Sequence, residues 1–297
     1  MTGWSASVNA RVDWWKHGIQ MPLRSCFTDR MEMMMAGADD RGAADRRSSG
    51  NRNARGDTLD PAEVARFDRL AERWWDPDGP MRPLHQLNPL RLGYVRDAIA
   101  GHFGRNIRGP RPLAGLTLLD IGAGGGLLAE PLARLGAEVT GLEPAAATAA
   151  AARHHAEQGG LSIDYRSETV EEVAARGERF DVVTAMEVVE HVTDVGAFVK
   201  AACAVTNEHG ILIVSTLNRT KRAFALAIIG AEYVLRWLPR GTHDWEKFVT
   251  PEELAGAIAA GGLAVADRTG VIYNPLTASW RLSGDMSVNY MLTATRA

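Results

Sequence analysis

The sequence predicts an α/β fold: a mostly parallel sheet covered by helices on both faces and closed by antiparallel terminal strands. Three observations carry this. Apolar strand-like runs alternate with helical patterns from Leu116 to Leu217. The first run ends in a glycine-rich turn, Gly122-Ala-Gly-Gly-Gly126. Beyond Thr250 two segments alternate apolar and polar residues in the manner of half-exposed strands. Alternation on this scale implies a parallel sheet with crossover helices.

The first 58 residues stand apart, with nine Lys/Arg against seven Asp/Glu, which leaves a net charge of −5 for residues 59–297. From Ala36 to Thr58 no apolar side chain exceeds alanine. Such a stretch buries too little to offset its ordering entropy, so residues 1–58 read as a disordered or targeting extension. Asp13, Asp29 and Glu32 weaken a mitochondrial presequence, which should be poor in acids.

Residues 59–297 read as the folded domain. Asp60-Pro-Ala-Glu63 opens a helix with an N-cap, a proline at the first helical position and a glutamate at the third. Val64, Phe67 and Leu70 follow at helical spacing. Asn88 opens a second helix, to about Phe103. Strands are expected at Leu116–Ile121, Glu138–Leu142, Ser162–Arg166, Phe180–Met186 and Ile211–Leu217. The helices between them span Leu127–Leu135, Ala145–Gln158, Val170–Ala175 and Val195–Val205. Residues 218–249 interrupt the rhythm. Thr250-Pro-Glu-Glu253 restarts a helix, and Leu263–Thr269 and Ser287–Thr295 bring the expected total to seven strands.

Composition excludes several classes. The chain is 46% hydrophobic and 23% charged, with a net charge of −3. A strong basic field for nucleic acid is lacking. Two cysteines, Cys26 and Cys203, cannot make a disulfide framework and suggest a reducing compartment. The longest apolar run, Ala223 to Ala231, is nine residues, far short of the roughly 20 that cross a bilayer.

Two constellations carry chemistry. In the first, Gly122 and Gly124 permit a sharp turn and close backbone approach to a ligand. The sixth position of a dinucleotide fingerprint falls on Leu127 rather than glycine, which argues against a nicotinamide cofactor. The run Asp120-x-Gly-x-Gly-x-Gly126 instead is similar to the loop of S-adenosylmethionine-dependent methyltransferases. Glu143, ending the second strand, is placed to accept hydrogen bonds from two ribose hydroxyls. In the second, Glu187-Val-Val-Glu190-His191 follows the fourth strand, at the carboxyl edge where open α/β sheets bind ligands. A helix there would put Glu187, Glu190 and His191 on one face, two oxygens and a nitrogen suited to a divalent cation. A solvated loop is the plainer alternative. His243 is a candidate fourth ligand. The insertion carries Arg219, Lys221, Arg222, Arg236 and Arg240 around an apolar body, which fits an active-site lid, a membrane-interface helix, or both.

From Leu59 to Arg296 the chain closely resembles the ubiquinone-biosynthesis O-methyltransferases. The resemblance lies in Arg73-Trp-Trp-Asp76, Pro83-Leu-His85, Asn88-Pro-Leu-Arg-Leu-Gly-Tyr94, Leu119-Asp-Ile-Gly-Ala-Gly-Gly-Gly126, Glu168-Thr-Val-Glu-Glu172 and Glu187-Val-Val-Glu-His191. It continues in Ser215-Thr-Leu-Asn-Arg219, Gly230-Ala-Glu-Tyr233, Gly241-Thr-His-Asp244, Tyr273-Asn-Pro275 and Val288-Asn-Tyr-Met291. It implies a Rossmann-like methyltransferase that methylates a phenolic hydroxyl of polyprenylated catechol-type intermediates. It implies S-adenosylmethionine at Arg91, Gly122, Glu143 and Met186, and Asp120 and Gly124 of the loop are further cofactor-binding candidates. A cation at Glu187, Glu190, His191 and His243, magnesium foremost, would ionise the phenol, with His191 and His243 as candidate proton acceptors. A prenylated substrate implies peripheral contact with the bacterial inner membrane from the cytoplasm, or with the mitochondrial inner membrane from the matrix, and membership of a ubiquinone-biosynthesis complex. Ala123 stands where the family usually has cysteine, and Glu143 where it usually has aspartate. Two rivals are an RNA ribose methyltransferase, disfavoured by the acidic core, and a non-catalytic cofactor-binding scaffold.

Overall fold

The computed structural model describes residues 58–224, 245–274, 277 and 279–296. The expectations for residues 1–57, for the body of the insertion and for His243 lie outside the described residues.

The first five strands form near where the sequence places them, with β3 two residues shorter and β5 five residues longer at its start than expected. β1 (Thr117–Ile121), β2 (Glu138–Leu142), β3 (Asp164–Arg166), β4 (Phe180–Met186) and β5 (Thr206–Leu217) pair in parallel. Buried on both faces, they read as near-continuous apolar runs. Neighbouring residues part to opposite faces: Leu119, Val183 and Leu212 join one core cluster, Leu118, Val182 and Ile213 the other. The first core packs on α5 (Val170–Ala175), α6 (Val195–Ala204) and α8 (Pro251–Ala260). The second packs on α2 (Arg82–His102), α3 (Ala129–Arg134) and α4 (Ala146–Gln158). Capping boxes start α5 at Thr169/Glu172 and α8 at Thr250/Glu253.

The sheet has eight strands rather than the seven expected, in the order β3-β2-β1-β4-β5-β8-β6-β7. β8 (Asn289–Thr295) runs antiparallel between β5 and β6 (Ala264–Asn274). The extra strand, β7 (Ser279–Ser283), is an edge strand on β6. Ser279-Trp-Arg-Leu-Ser283 does alternate polar and apolar residues, but the run is only five residues long at an edge, and Leu282 is exposed. α2 begins at Arg82, six residues before the expected start, and carries Pro89 inside it. Burial of Leu87, Arg91, Val95 and Ile99 outweighs the hydrogen bond that Pro89 cannot donate.

β1 leads to β2 on one side and its other neighbour is β4, so the strand order reverses between β1 and β4. The carboxyl ends of these two strands form the crevice where such sheets bind ligands. The segment from Thr58 to Met81, with α1 (Pro61–Asp68) and a 3₁₀ turn at Ala71–Arg73, lies over it.

Candidate active site

A cavity of about 230 Å³ opens at this crevice. Its wall includes Arg91, Asp120, Gly122, Glu143, Met186, Glu187, Glu190 and His191, eight of the ten residues singled out from sequence. Gly124 is not on the wall, because Trp74 covers it. A Cβ at Gly124, whose φ is 54°, would overlap the Trp74 ring. Glycine therefore serves both the left-handed turn and the seat of an indole.

The glycine-loop end is built around buried charges. Both oxygens of Glu143 accept backbone N–H groups, one from Gly124 at 3.0 Å and one from Ala145 at 2.9 Å. The expected ribose acceptor thus also ties β2 to the glycine loop. Each oxygen keeps a second lone pair for a ligand. Burial pushes the Glu143 carboxyl up to about 7. Burial likewise raises Asp120 to about 6, against a 2.7 Å hydrogen bond donated by Thr184 Oγ1. The Arg91 guanidinium is buried, and its Nε lacks a partner among the described residues. Burial lowers its pKa; the charges of Glu187, Asp120 and Glu190 oppose that. A buried, unmatched donor on a cavity wall suits an anionic ligand group.

The other end holds the Glu-x-x-Glu-His segment, which is not the expected helix. Glu187 precedes a 3₁₀ turn, Val189–His191, and has φ 59°, a left-handed conformation rare for a side-chain-bearing residue. Its carboxylate accepts from Ser215 Oγ at 2.6 Å and from Asn289 Nδ2 at 3.0 Å. Glu190 accepts from Thr216 Oγ1 at 2.7 Å. Burial and then the Glu187 charge push its carboxyl up to about 7. His191 Nδ1 lies 3.1 Å from Glu63 Oε2, and its ring meets Phe67 edge-on. Burial lowers the His191 pKa, but Glu63 and Glu190 outweigh it and the net shift is upward. Among the described residues no three His, Cys, Asp or Glu side chains converge on one point as metal ligands.

The donor chemistry nonetheless fits a divalent cation. Glu187 raises the pKa of buried Glu190, a repulsion that a cation would relieve.

Sequence reasoning missed the residues that cover the cavity. Glu63 reads as a helix-start residue, yet the α1 cap is closed by Asp60 accepting from Ala62 N, and Glu63 turns to His191. Trp74 packs with Met81 and Leu127, and Trp75 Nε1 donates to Gly125 O at 2.8 Å. The Trp-Trp pair was the available signal. The basic residues of the insertion are also less free than their spacing suggests. Arg222 pairs with Asp285 at 2.6 Å, and Arg219 pairs with Glu253.

An open sheet of this order, with a glycine loop ending β1 and an acid ending β2, defines a methyltransferase-class protein. Residues 119–214 match the methyltransferase domain family. The fold is shared with magnesium protoporphyrin IX methyltransferase from Synechocystis PCC 6803, at a TM-score of 0.55 and 18% identity over 79% of this chain and 100% of that one. It is also shared with a methyltransferase from Thermotoga maritima, at a TM-score of 0.54 and 19% identity over 79% of this chain and 99% of that one. The relatives in sequence are far more similar. The ubiquinone biosynthesis O-methyltransferase of Methylobacterium sp. (strain 4-46) is 62% identical over 81% of this chain and 97% of its own length. That of Azorhizobium caulinodans is 56% identical over 81% and 95%. The chain belongs to the ubiquinone biosynthesis O-methyltransferase family.

Proposed function

We propose that the protein transfers a methyl group from S-adenosylmethionine to a phenolic hydroxyl of a polyprenylated catechol-type intermediate in ubiquinone synthesis. The observation that carries this reading is one cavity with the glycine loop, Glu143 and the unmatched Arg91 donor on its wall together with Glu187, Glu190 and His191. The names of the close relatives support the substrate class.

When bound, S-adenosylmethionine supplies an activated methyl group, and a divalent cation on Glu187, Glu190 and His191 supplies Lewis acidity that lowers a phenol pKa of about 10. Arg91 would pair with the carboxylate of the methyl donor, and Glu143 would accept its ribose hydroxyls. Gly122 lets the backbone approach the donor, and Asp120 is held under the loop by Thr184. Met186 and Leu127 line the cavity with apolar surface that excludes water. His191 would be the third ligand of such a cation, and His243, outside the described residues, would be a fourth ligand or the acceptor of the phenol proton.

The site works from the cytoplasmic face of the bacterial inner membrane. Phe224 is 42% exposed where the insertion begins, next to exposed Lys221 and Arg222. Apolar and basic side chains together favour an anionic lipid surface. Among the described residues no helix is long and apolar enough to cross a membrane.

The test is transfer of labelled methyl to a short-chain prenyl catechol, with and without exhaustive chelation and with and without anionic vesicles. Transfer that chelation abolishes and added magnesium restores is expected. No transfer under any condition overturns the reading, and full transfer after chelation removes the cation from it.

A further inference from the structure

Glu63 is far from His191 in the chain, yet two backbone contacts bring α1 to it. Leu59 bridges Val192, and Thr193 N donates to Thr58 O at 2.9 Å. These contacts fix the start of α1 beside the Glu-x-x-Glu-His segment. One helical turn on, Glu63 Oε2 lies 3.1 Å from His191 Nδ1, and Phe67, a further turn along the same face, meets the imidazole edge-on at 5.5 Å and 88°. A glutamate side chain is ionised at neutral pH, so Glu63 is the acceptor in this 3.1 Å contact. A carboxylate has no proton to give, so the proton between them sits on Nδ1.

We infer that Glu63 is a positioning residue for the active site: its carboxylate and the Phe67 edge fix the tautomer and ring plane of His191, so that Nε2 is the unprotonated nitrogen presented to a divalent cation. This rests on the reading of His191 as a ligand. A metal-binding histidine needs its ligating nitrogen free of a proton, and a carboxylate on the other ring nitrogen secures this and makes the ligand more basic. The supporting residue comes from the segment that covers the cavity, not from the sheet. Cation affinity therefore depends on that segment being seated.

The experiment compares wild type with Glu63→Ala, Glu63→Gln, Asp60→Ala and His191→Ala. Mn²⁺ affinity is measured by calorimetry, S-adenosylmethionine affinity in parallel, and the imidazole tautomer by ¹⁵N NMR of histidine-labelled protein. Glu63→Ala is expected to weaken Mn²⁺ about 10–100-fold and to shift His191 toward the Nε2–H tautomer, with S-adenosylmethionine affinity unchanged. Glu63→Gln, which keeps an acceptor oxygen, falls between. Asp60→Ala loosens the α1 cap and its seat without removing the partner of His191, and is expected to weaken Mn²⁺ by much less than Glu63→Ala does. Mn²⁺ affinity within twofold of wild type in Glu63→Ala with the tautomer unmoved overturns the inference. So does an equal loss in Asp60→Ala, which would assign the effect to the helix as a whole. Undiminished Mn²⁺ binding in His191→Ala overturns the ligand reading itself, whatever Glu63 does.

Discussion

The floor and the roof of the cavity are held by different forces. The floor is the carboxyl edge of β1, β2 and β4, where Leu119, Leu142 and Ala185 are almost wholly buried and parallel ladders fix the backbone. The roof, residues 58–81, has backbone contacts only at its start, from Thr58 and Leu59 to Val192 and Thr193, and otherwise rests on side chains. α1 has no buried residue. What seats the segment is Trp74 on the glycine loop, the Trp75 bond to Gly125 O, the Glu63 contact with His191, and an Asp60–Lys247 ion pair at 3.0 Å. A segment with few buried contacts opens at lower free-energy cost than a core strand. The floor therefore sets geometry, and the roof sets access and completes the ligand shell.

The largest effects test whether the two regions are separable. Leu119→Ala should cost about 2–5 kcal/mol of global stability in urea denaturation. Trp74→Ala should speed amide exchange across residues 58–81 while amides of β1 and β4 keep wild-type protection. Equal acceleration in the strands would make roof and floor one cooperative unit.

The next prediction concerns charge stored in the floor. Asp120 titrates near 3.8 as a free side chain and near 6 in the fold. Between those pH values the native state binds more protons than the unfolded state, so stability falls as pH rises, and above the folded pKa the full cost persists. Asp120→Asn removes the cost and leaves Thr184 an oxygen to bond, although Arg91 loses a neighbouring negative charge. The variant should gain on wild type by up to about 3 kcal/mol from about pH 4 to about pH 7, then level off. Urea midpoints that keep a constant offset over that range would show that Asp120 is not the source.

The smallest effect belongs to the roof's polar seat. Asp60→Ala removes an N-cap and the partner of Lys247, and should cost about 1 kcal/mol. Lys247→Met, which leaves the cap intact, should cost less than about 0.5 kcal/mol because the pair is partly exposed. Exchange from residues 58–68 measures both, and a larger loss in Lys247→Met would make the ion pair, not the cap, the main anchor.

The same division decides what was legible in the sequence. β2, β4 and α5 fall where local pattern places them, because an apolar run or a Thr-x-x-Glu box is decided by adjacent residues. The glycine loop and the strand-two acid are legible for that reason too. What was not legible depends on partners far along the chain. Glu63 has the spacing of a helix-start residue, and only the folded strap reveals its histidine. Glu187 sits at the end of an apolar strand, but its left-handed backbone, and so the side chain's turn toward Ser215 and Asn289, is set by β5 and β8. β7 pairs at an edge with little burial to pattern it.

The position of the roof ahead of the sheet in the chain has a consequence for biosynthesis. Its anchors are made long after it is. Trp75 waits 50 residues for Gly125, Thr58 waits 135 for Thr193, and Asp60 waits 187 for Lys247. At elongation rates of about 5–20 residues per second, the last of these delays is roughly 10–40 s. The segment that closes the site thus leaves the ribosome well before the residues that seat it. For the first 50 residues of that interval the Trp-Trp pair has no glycine loop to cover, and its indoles stay exposed until the sheet that shapes the loop exists.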